Sequence, residues 1–234
     1  MNEQPPGRAG PSRRYERSLP SNDPDRTRAD ILKAAEAEFA RHGFGGAKLD
    51  SIAAKTKRSK RMIYYYFSSK AKLYLAVLEN GYRRMRTAEL AINLDEDDPR
   101  QSLKNLVEFS FDFHFAHPTY VKLLMTENLN DARFLATSSV VQELHQPIIA
   151  RIERLLRRGY EKENFRRTIS PVEVHMTISA LSFFNVSNRA TFTAAFNVDM
   201  QSPAFRRARK QEILLTILGR LDADMTGFGS EYTR

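Results

Sequence analysis

Apolar residues return every third or fourth position through most of this chain, and only short polar or proline-bearing stretches interrupt the rhythm. In DRTRADILKAAEAEFARHG, Ile31, Ala34, Ala35, Glu38 and Phe39 fall on one helical face, with Asp23 or Asp25 as the cap and Gly43 as the stop. Leu49, Ile52 and Ala53 mark a short helix ending near Thr56, and Ser59 caps another that runs through Phe67. Ser68-Ser69 opens a longer helix whose Leu73, Val77 and Leu78 face inward. Beyond the acidic loop at Asp95–Pro99, the spacing predicts helices over 100–116, 118–129, 132–158, 172–190 and 204–222. Their breaks are His117-Pro118, Gly159, Ser170-Pro171 and the polar loop from Asp199 to Pro203, with Pro147 placed to kink or divide the third. No useful β-alternation and no internal repeat occurs, so the fold class is all-α.

Charge divides the chain where the pattern of short helices does. The net charge is +9, yet residues 1–86 hold 19 Lys and Arg against 9 Asp and Glu, while the remainder holds 18 against 19. A field confined to one third attracts phosphates without making the whole surface adhesive, as in a nucleic-acid-binding segment joined to a neutral domain. The proline-rich residues 1–22, with Arg8, Arg13, Arg14 and Arg17, read as a disordered basic arm. Residues 23–70 read as a DNA-binding head, and 71–234 as a helical regulatory and dimerisation domain with 71–91 as connector. The absence of cysteine removes disulfides and thiolate metal sites. No apolar run suits a membrane span or signal, so a cytoplasmic protein with no membrane partner is expected.

The segment SKRMIYYYFSSKAKL carries the chemistry. Two short helices joined by a tight turn suit a helix-turn-helix, whose second helix needs an apolar rear face and long polar groups in front. Ile63 and Phe67, four apart, supply the rear; Lys60, Arg61, Tyr64 and Tyr66 reach outward. Phenolic hydroxyls donate to phosphate oxygens, and Lys70 sits in the first turn of the next helix, where free backbone N–H groups favour an anion. Residues 48–72 contain eight Lys and Arg and one acid, Asp50, a composition too costly to bury.

These residues carry a resemblance. Ile31-Leu32, Ala34-Ala35, Phe39, Gly43-Phe44, Ile52-Ala53, Ile63-Tyr64-Tyr65-Tyr66-Phe67 and Ser69-Lys70 together resemble the DNA-binding domain of the TetR family of bacterial transcriptional regulators. The resemblance implies a ligand-responsive regulator, commonly a repressor, that binds a palindromic operator in double-stranded DNA as a homodimer and is released by a small-molecule effector. It also implies that Lys60, Arg61 and Met62 face bases, that Tyr64, Tyr66 and Lys70 hold phosphates, and that Lys48 touches backbone. The family's usual Ala-Gly-Val-Ser turn is Thr56-Lys57-Arg58-Ser59 here. Lys57 then either accepts a left-handed backbone at about 1 kcal/mol or reshapes the turn, while Lys57 and Arg58 add charge beside the duplex. Lys48 stands where a Thr cap is usual, which weakens that cap by roughly 1 kcal/mol.

The second half carries weaker signals. Val174, Ile178, Leu181 and Phe184-Asn185 line one stripe, and Ile213, Leu214, Ile217, Leu218 and Leu221 another; the resemblance assigns both helices to a dimer interface. Phe109, Phe113, Met125, Leu129, Leu144, Ile148 and Phe183 are large and apolar at helical spacing, fit either for an ordinary core or for an effector pocket, and His145 is the polar candidate beside them. The segment VxxLHQPIIARI, with Phe165-Arg166 and Pro171, is similar to the subgroup typified by the regulator of pyrimidine breakdown. His114, His117, His145 and His175 lack an HxxxH or HExxH spacing, so neither metal nor cofactor is expected. No phosphate loop, nucleophile elbow or catalytic grouping supports an enzyme. The competing reading is a dimeric helical interaction module that binds DNA weakly and without sequence preference.

Overall fold

The structure, a computed structural model, describes residues 23–94 and 97–223; the basic arm over 1–22 lies outside the described residues. The order is α1 (Pro24–Gly46), α2 (Leu49–Thr56), α3 (Lys60–Phe67), α4 (Lys70–Leu90), α5 (Pro99–Ala116) and α6 (Pro118–Asn128), followed by α7 (Ser139–Glu161), α8 (Pro171–Ser187), α9 (Arg189–Phe196) and α10 (Pro203–Asp222). Helices α1, α5, α6, α8 and α10 each open on a proline, whose missing N–H is not needed in a first turn, so the same residues that stop one helix start the next. Asp23 caps α1 by accepting from the N–H groups of Asp25 and Arg26. Gly43 takes φ 66° near the end of that helix, a backbone conformation suited to glycine.

Three boundaries differ from the spacing. Residues 132–138 form turns and a short 3₁₀ segment, Leu135–Thr137, before α7 begins at Ser139. Gly159 does not end α7: the Phe165 ring passes so close that a Cβ at 159 would lie 2.1 Å from it, and the helix runs to Glu161. Pro147 lies inside α7 without dividing it. The helix expected over 172–190 ends at Ser187, and the separate α9 follows.

Two cores result. Ile31, Phe39, Ile52, Ile63, Phe67, Leu73 and Leu78 pack the head, and Leu123 of α6 is buried among them. Leu103, Phe111, Ile148, Ile152, Leu155, Ile178, Ile213, Ile217 and Leu221 pack the bundle of α5, α7, α8 and α10. A small cluster of Met85, Phe113 and Tyr120 lies where α4, α5 and α6 meet. The stripe Ile213–Ile217–Leu221 is therefore spent on the chain's own core, with Leu214 and Leu218 partly buried against it. Helix α8 also carries exposed apolar residues, Val172, Met176, Ala180 and Phe184, spaced four apart. Among the described residues, no helix is long and apolar enough to cross a membrane.

Phe67 is 5% exposed at the back of α3. Phe67→Ala is expected to lower unfolding stability by about 3–5 kcal/mol in urea titration, through the cavity it leaves.

Candidate nucleic-acid interface and adjoining cavity

Helices α2 and α3 meet across a turn closed by backbone hydrogen bonds: Lys57 N–H donates to the Ala54 carbonyl and Arg58 N–H to that of Ala53. This is a Schellman cap with Lys57 in the left-handed position usually given to glycine, at φ 53° and ψ 33°. The turn keeps the glycine-type geometry and bears the strain. Ser59 caps α3 by accepting from Met62 N–H. Lys48 provides no side-chain cap to α2. Glu38 on α1 secures that end instead, accepting from Lys48 N–H at 3.2 Å and from Lys55 Nζ at 2.9 Å. The Lys55 ammonium is the main cause holding the buried Glu38 carboxyl below its usual range.

On α3, Ile63 and Phe67 are buried, and Arg61, Tyr64 and Tyr65 are exposed. Arg61 and Tyr65 sit roughly 200° round the helix from the buried pair, at the centre of the outer face. Tyr65, 79% exposed, is the outermost aromatic, and sequence reasoning missed it. Its signal was its position two residues after Ile63 and two before Phe67. Tyr66 is half-buried beside it, their rings edge-to-face at 5.3 Å. Lys57 and Lys60 are exposed, and Arg58 and Met62 are half-buried. Lys60 Nζ meets the exposed Asp50 at 3.1 Å, a pairing weak enough to yield to a phosphate or base. Lys70 Nζ donates to the Gly45 carbonyl at 3.3 Å and lies 5.0 Å from the centre of the Phe44 ring. Arg28, also unselected from the sequence, lies over the Phe67 ring at 5.4 Å.

A cavity of about 470 Å³ opens between α4, α6, α7 and α8, with His114 of α5 in its wall. Helix α4 contributes Tyr82, Met85 and Arg86; α6 contributes Tyr120, Leu124 and Asn128; α7 contributes His145; and α8 contributes Val172, His175, Met176, Ser179, Ala180 and Phe183. Arg86 and Glu89 are 3% and 1% exposed and form an ion pair one turn apart. Arg86 Nη1 also donates to His175 Nε2 at 3.0 Å. His145 Nδ1 donates to the Val141 carbonyl at 2.6 Å. Among the described residues, three buried polar atoms near this space have no hydrogen-bond partner, Arg86 Nε, Glu89 Oε1 and Tyr120 Oη, and the backbone of Ser110 faces the His114 ring. Burial pushes His114 down to about 4 and also lowers His145, while burial raises Tyr82 and Tyr120. A second depression, by Phe44, Lys72, Arg133 and Phe134, has the buried Tyr74 and Glu127 behind it.

Of the residues offered from spacing, His145 and Phe183 line the cavity. Phe113 packs behind it with Met85 and Tyr120, and Phe109 supports Phe113 at 5.6 Å between rings. Ile148 is fully buried in the bundle core instead, and Leu129 is 86% exposed beyond the end of α6. Met125 and Leu144 are half-buried and absent from the cavity wall. Arg86 and His175 were missed because their class pointed elsewhere: Arg86 counted toward the basic third, and His175 was weighed as a metal ligand. Among the described residues, no group of three metal-ligating side chains occurs.

Because the folded protein keeps His114 neutral to about pH 4, the unfolded chain takes up a proton first as pH falls below 6.5. The backbone hydrogen bond to Ser110 and the Glu89 charge favour protonation there less strongly than burial resists it, and Arg86 and His117 oppose it. Urea unfolding at pH 5.0 is expected to show about 2 kcal/mol less stability than at pH 7.5 from this residue, and His114→Gln to flatten the difference.

Comparison with known proteins agrees with this arrangement. Residues 31–77 match the family described as bacterial regulatory proteins, tetR family, and residues 99–217 match the tetracyclin repressor-like C-terminal domain. The transcriptional repressor NicS of Pseudomonas putida is 38% identical over 176 residues, which is 75% of this chain and 83% of that protein. The regulator RutR of Escherichia coli is 31% identical over 105 residues, 45% of this chain and 49% of that one. The crystal structure of the putative transcriptional regulator SCO4942 from Streptomyces coelicolor superposes with a TM-score of 0.60 at 30% identity, covering 80% of this chain and 96% of that one. With a basic helix-turn-helix in front of a helical bundle, and both parts matched, the chain belongs to the TetR family and is a DNA-binding transcriptional regulator.

Proposed function

We propose that the protein is a cytoplasmic, homodimeric repressor that reads a palindromic operator through two copies of α3 and is released when a small molecule fills the cavity. The observation that carries this reading is the double use of α6. Its Leu123 is buried in the head core, while Tyr120, Leu124 and Asn128 line the cavity. A ligand that moves α6 therefore moves the support of the head. The exposed stripe Val172–Met176–Ala180–Phe184, whose first three residues also rim the cavity, supports a partner copy on α8, since an apolar stripe is costly to leave in water. Repression follows the names of the NicS and SCO4008 relatives, the second 37% identical over 111 residues.

On the duplex, Arg61, Tyr65, Lys60 and Met62 face base edges. Tyr64, Tyr66 and Lys70 hold phosphates on either side, with Lys48, Lys57 and Arg58 adding backbone contacts. Lys70 begins α4, where free N–H groups and the helix dipole already favour a phosphate.

The test uses an operator selected in vitro from randomised duplexes. Arg61→Ala is expected to weaken binding and to flatten preference at particular base pairs, by roughly 1–3 kcal/mol of discrimination. Lys70→Ala should weaken operator and random DNA alike and reduce the salt slope by about one. Equal affinity of the parent protein for operator and random duplex would instead establish the interaction module with nonspecific binding. The reverse pattern for the two variants would mean that α3 presents a different face.

A further inference from the structure

The cavity meets solvent where α8 borders it. Of its wall, Asn128, Val172, Met176 and Ala180 are exposed and so mark the mouth. Val172 and Met176 are 57% and 62% exposed, and Leu129, next after Asn128, is exposed as well. An apolar rim of this kind is costly to leave in water.

The apolar spacing that forms the rim does not stop at the cavity. Val172, Met176 and Ala180 are followed four residues on by Phe184 and then, past a bend at Asn188, by Phe192 and Phe196 of α9. Helical hydrogen bonds persist through the bend: Asn188 N–H donates to the Phe184 carbonyl, and Phe192 N–H to that of Asn188. The three phenylalanines form one cluster, with Phe184 edge-to-face to Phe192 at 5.8 Å and Phe192 against Phe196 at 4.5 Å. Helix α9 buries none of its eight residues. A helix so short is marginal by itself in water, so its outer face needs a surface to lie against.

That surface must be apolar and uncharged. Residues 171–197 hold two charged side chains, Glu173 and Arg189, in a chain that is 28% charged, and Glu173 is already paired with Arg220 at 2.7 Å. Such depletion of charge marks the core of a protein interface and offers nothing to DNA or to a charged partner. A second copy of the same stretch meets the requirement, and the order of residues says how. Phe184 is central: Val172 lies twelve residues before it and Phe196 twelve after. A two-fold axis at Phe184 runs the two α8 helices antiparallel, so the aromatic end of each copy falls on the cavity rim of the other. Ridges of residues four apart are the ones that interlock at the commonest helix crossing.

We propose that the effector cavity is a shared site, its mouth closed by α9 of the partner copy, with the partner's Phe192 and the partner's Phe196 seated over Met176 and Val172. This rests on the homodimer and on the cavity being the effector site. A guest then enters or leaves only by displacing an element of the other copy, so each occupied cavity bears on both chains.

The chain has no cysteine, so single thiols can be placed in the full-length protein and joined without background. With a short bis-maleimide, Phe184→Cys is expected to give a covalent dimer by itself. Met176→Cys and Phe192→Cys should each fail alone, because each lies roughly 24 Å from its own copy along the paired helices. Coexpressed, those two chains should give the covalent dimer. Sedimentation of each variant before cross-linking shows whether the copies have paired. A sedimenting dimer in which the coexpressed chains do not join, or in which Met176→Cys joins its own copy, overturns the shared cavity and leaves the homodimer standing. A monomer at micromolar concentration overturns the shared cavity and the homodimer together.

Discussion

The carboxylate of Glu127 holds the two halves of this molecule in one arrangement. It is 1% exposed near the end of α6, and its Oε1 accepts from the N–H groups of Phe134 and Leu135 at 2.8 and 3.0 Å. Those bonds fold the chain back after α6, through Asp131 and Ala132 in left-handed conformations at φ 56° and 53°. The return sets the Phe134 ring 4.6 Å from Phe44 and 4.9 Å from Tyr74, with Phe39 on the far side of Tyr74 at 4.9 Å. The aromatic chain thus runs from the head core into the loop that leads to α7. Arg133 closes it from outside, lying over Phe44 and Phe134 at 5.6 and 4.8 Å. Burial, then the Glu127 charge, pushes the Tyr74 phenol upward, so it stays protonated. Two backbone donors that would otherwise be stranded in an apolar junction are satisfied by one buried anion, and removing that anion would strand them.

From that anchor the rest follows by shared elements. Helix α4 gives Leu73, Tyr74, Val77 and Leu78 to the head, then Tyr82, Met85 and Arg86 to the cavity. Helix α6 makes the same division across its two faces. Gly81 allows the crossing: a Cβ there would lie 2.6 Å from the Tyr120 ring, so α4 and α6 approach closely where cavity and head adjoin. On the proposed reading, a guest that repositions Tyr120 would press on both supports of the head at once. The strained turn at Lys57 sits at the other end of the head, where a left-handed lysine costs about 1 kcal/mol and leaves its side chain exposed.

Much of this was legible before any coordinates. Helical periodicity located the head because Ile31, Phe39, Ile52, Ile63 and Phe67 each do one job, burial in a single core. It served less well where one helix serves two masters. Residues 171–187 are apolar on both sides, so their periodicity did not reveal which stripe enters the core; Val174 and Ile178 do, while Val172 and Met176 are exposed at the rim of the cavity. Leu129 and Ile148 looked like pocket residues on size alone, but one is exposed and the other is deep in the bundle, since size carries no direction. Gly159 looked like a stop because its packing partner, Phe165, is local in space through a turn that periodicity does not encode. The Arg86–Glu89 pair was hidden by its charge, because an arginine is assigned to solvent until its partner is seen.

The central claim is that Glu127 fixes the head to the cavity-bearing bundle, and amide hydrogen exchange measures it directly in Glu127→Gln against the parent protein. The account predicts faster exchange at Phe134 and Leu135 and, with it, faster exchange through α1 and the head core while α7 and α10 stay protected. Loss of protection confined to Phe134 and Leu135, with α1–α3 exchanging as before, would contradict it.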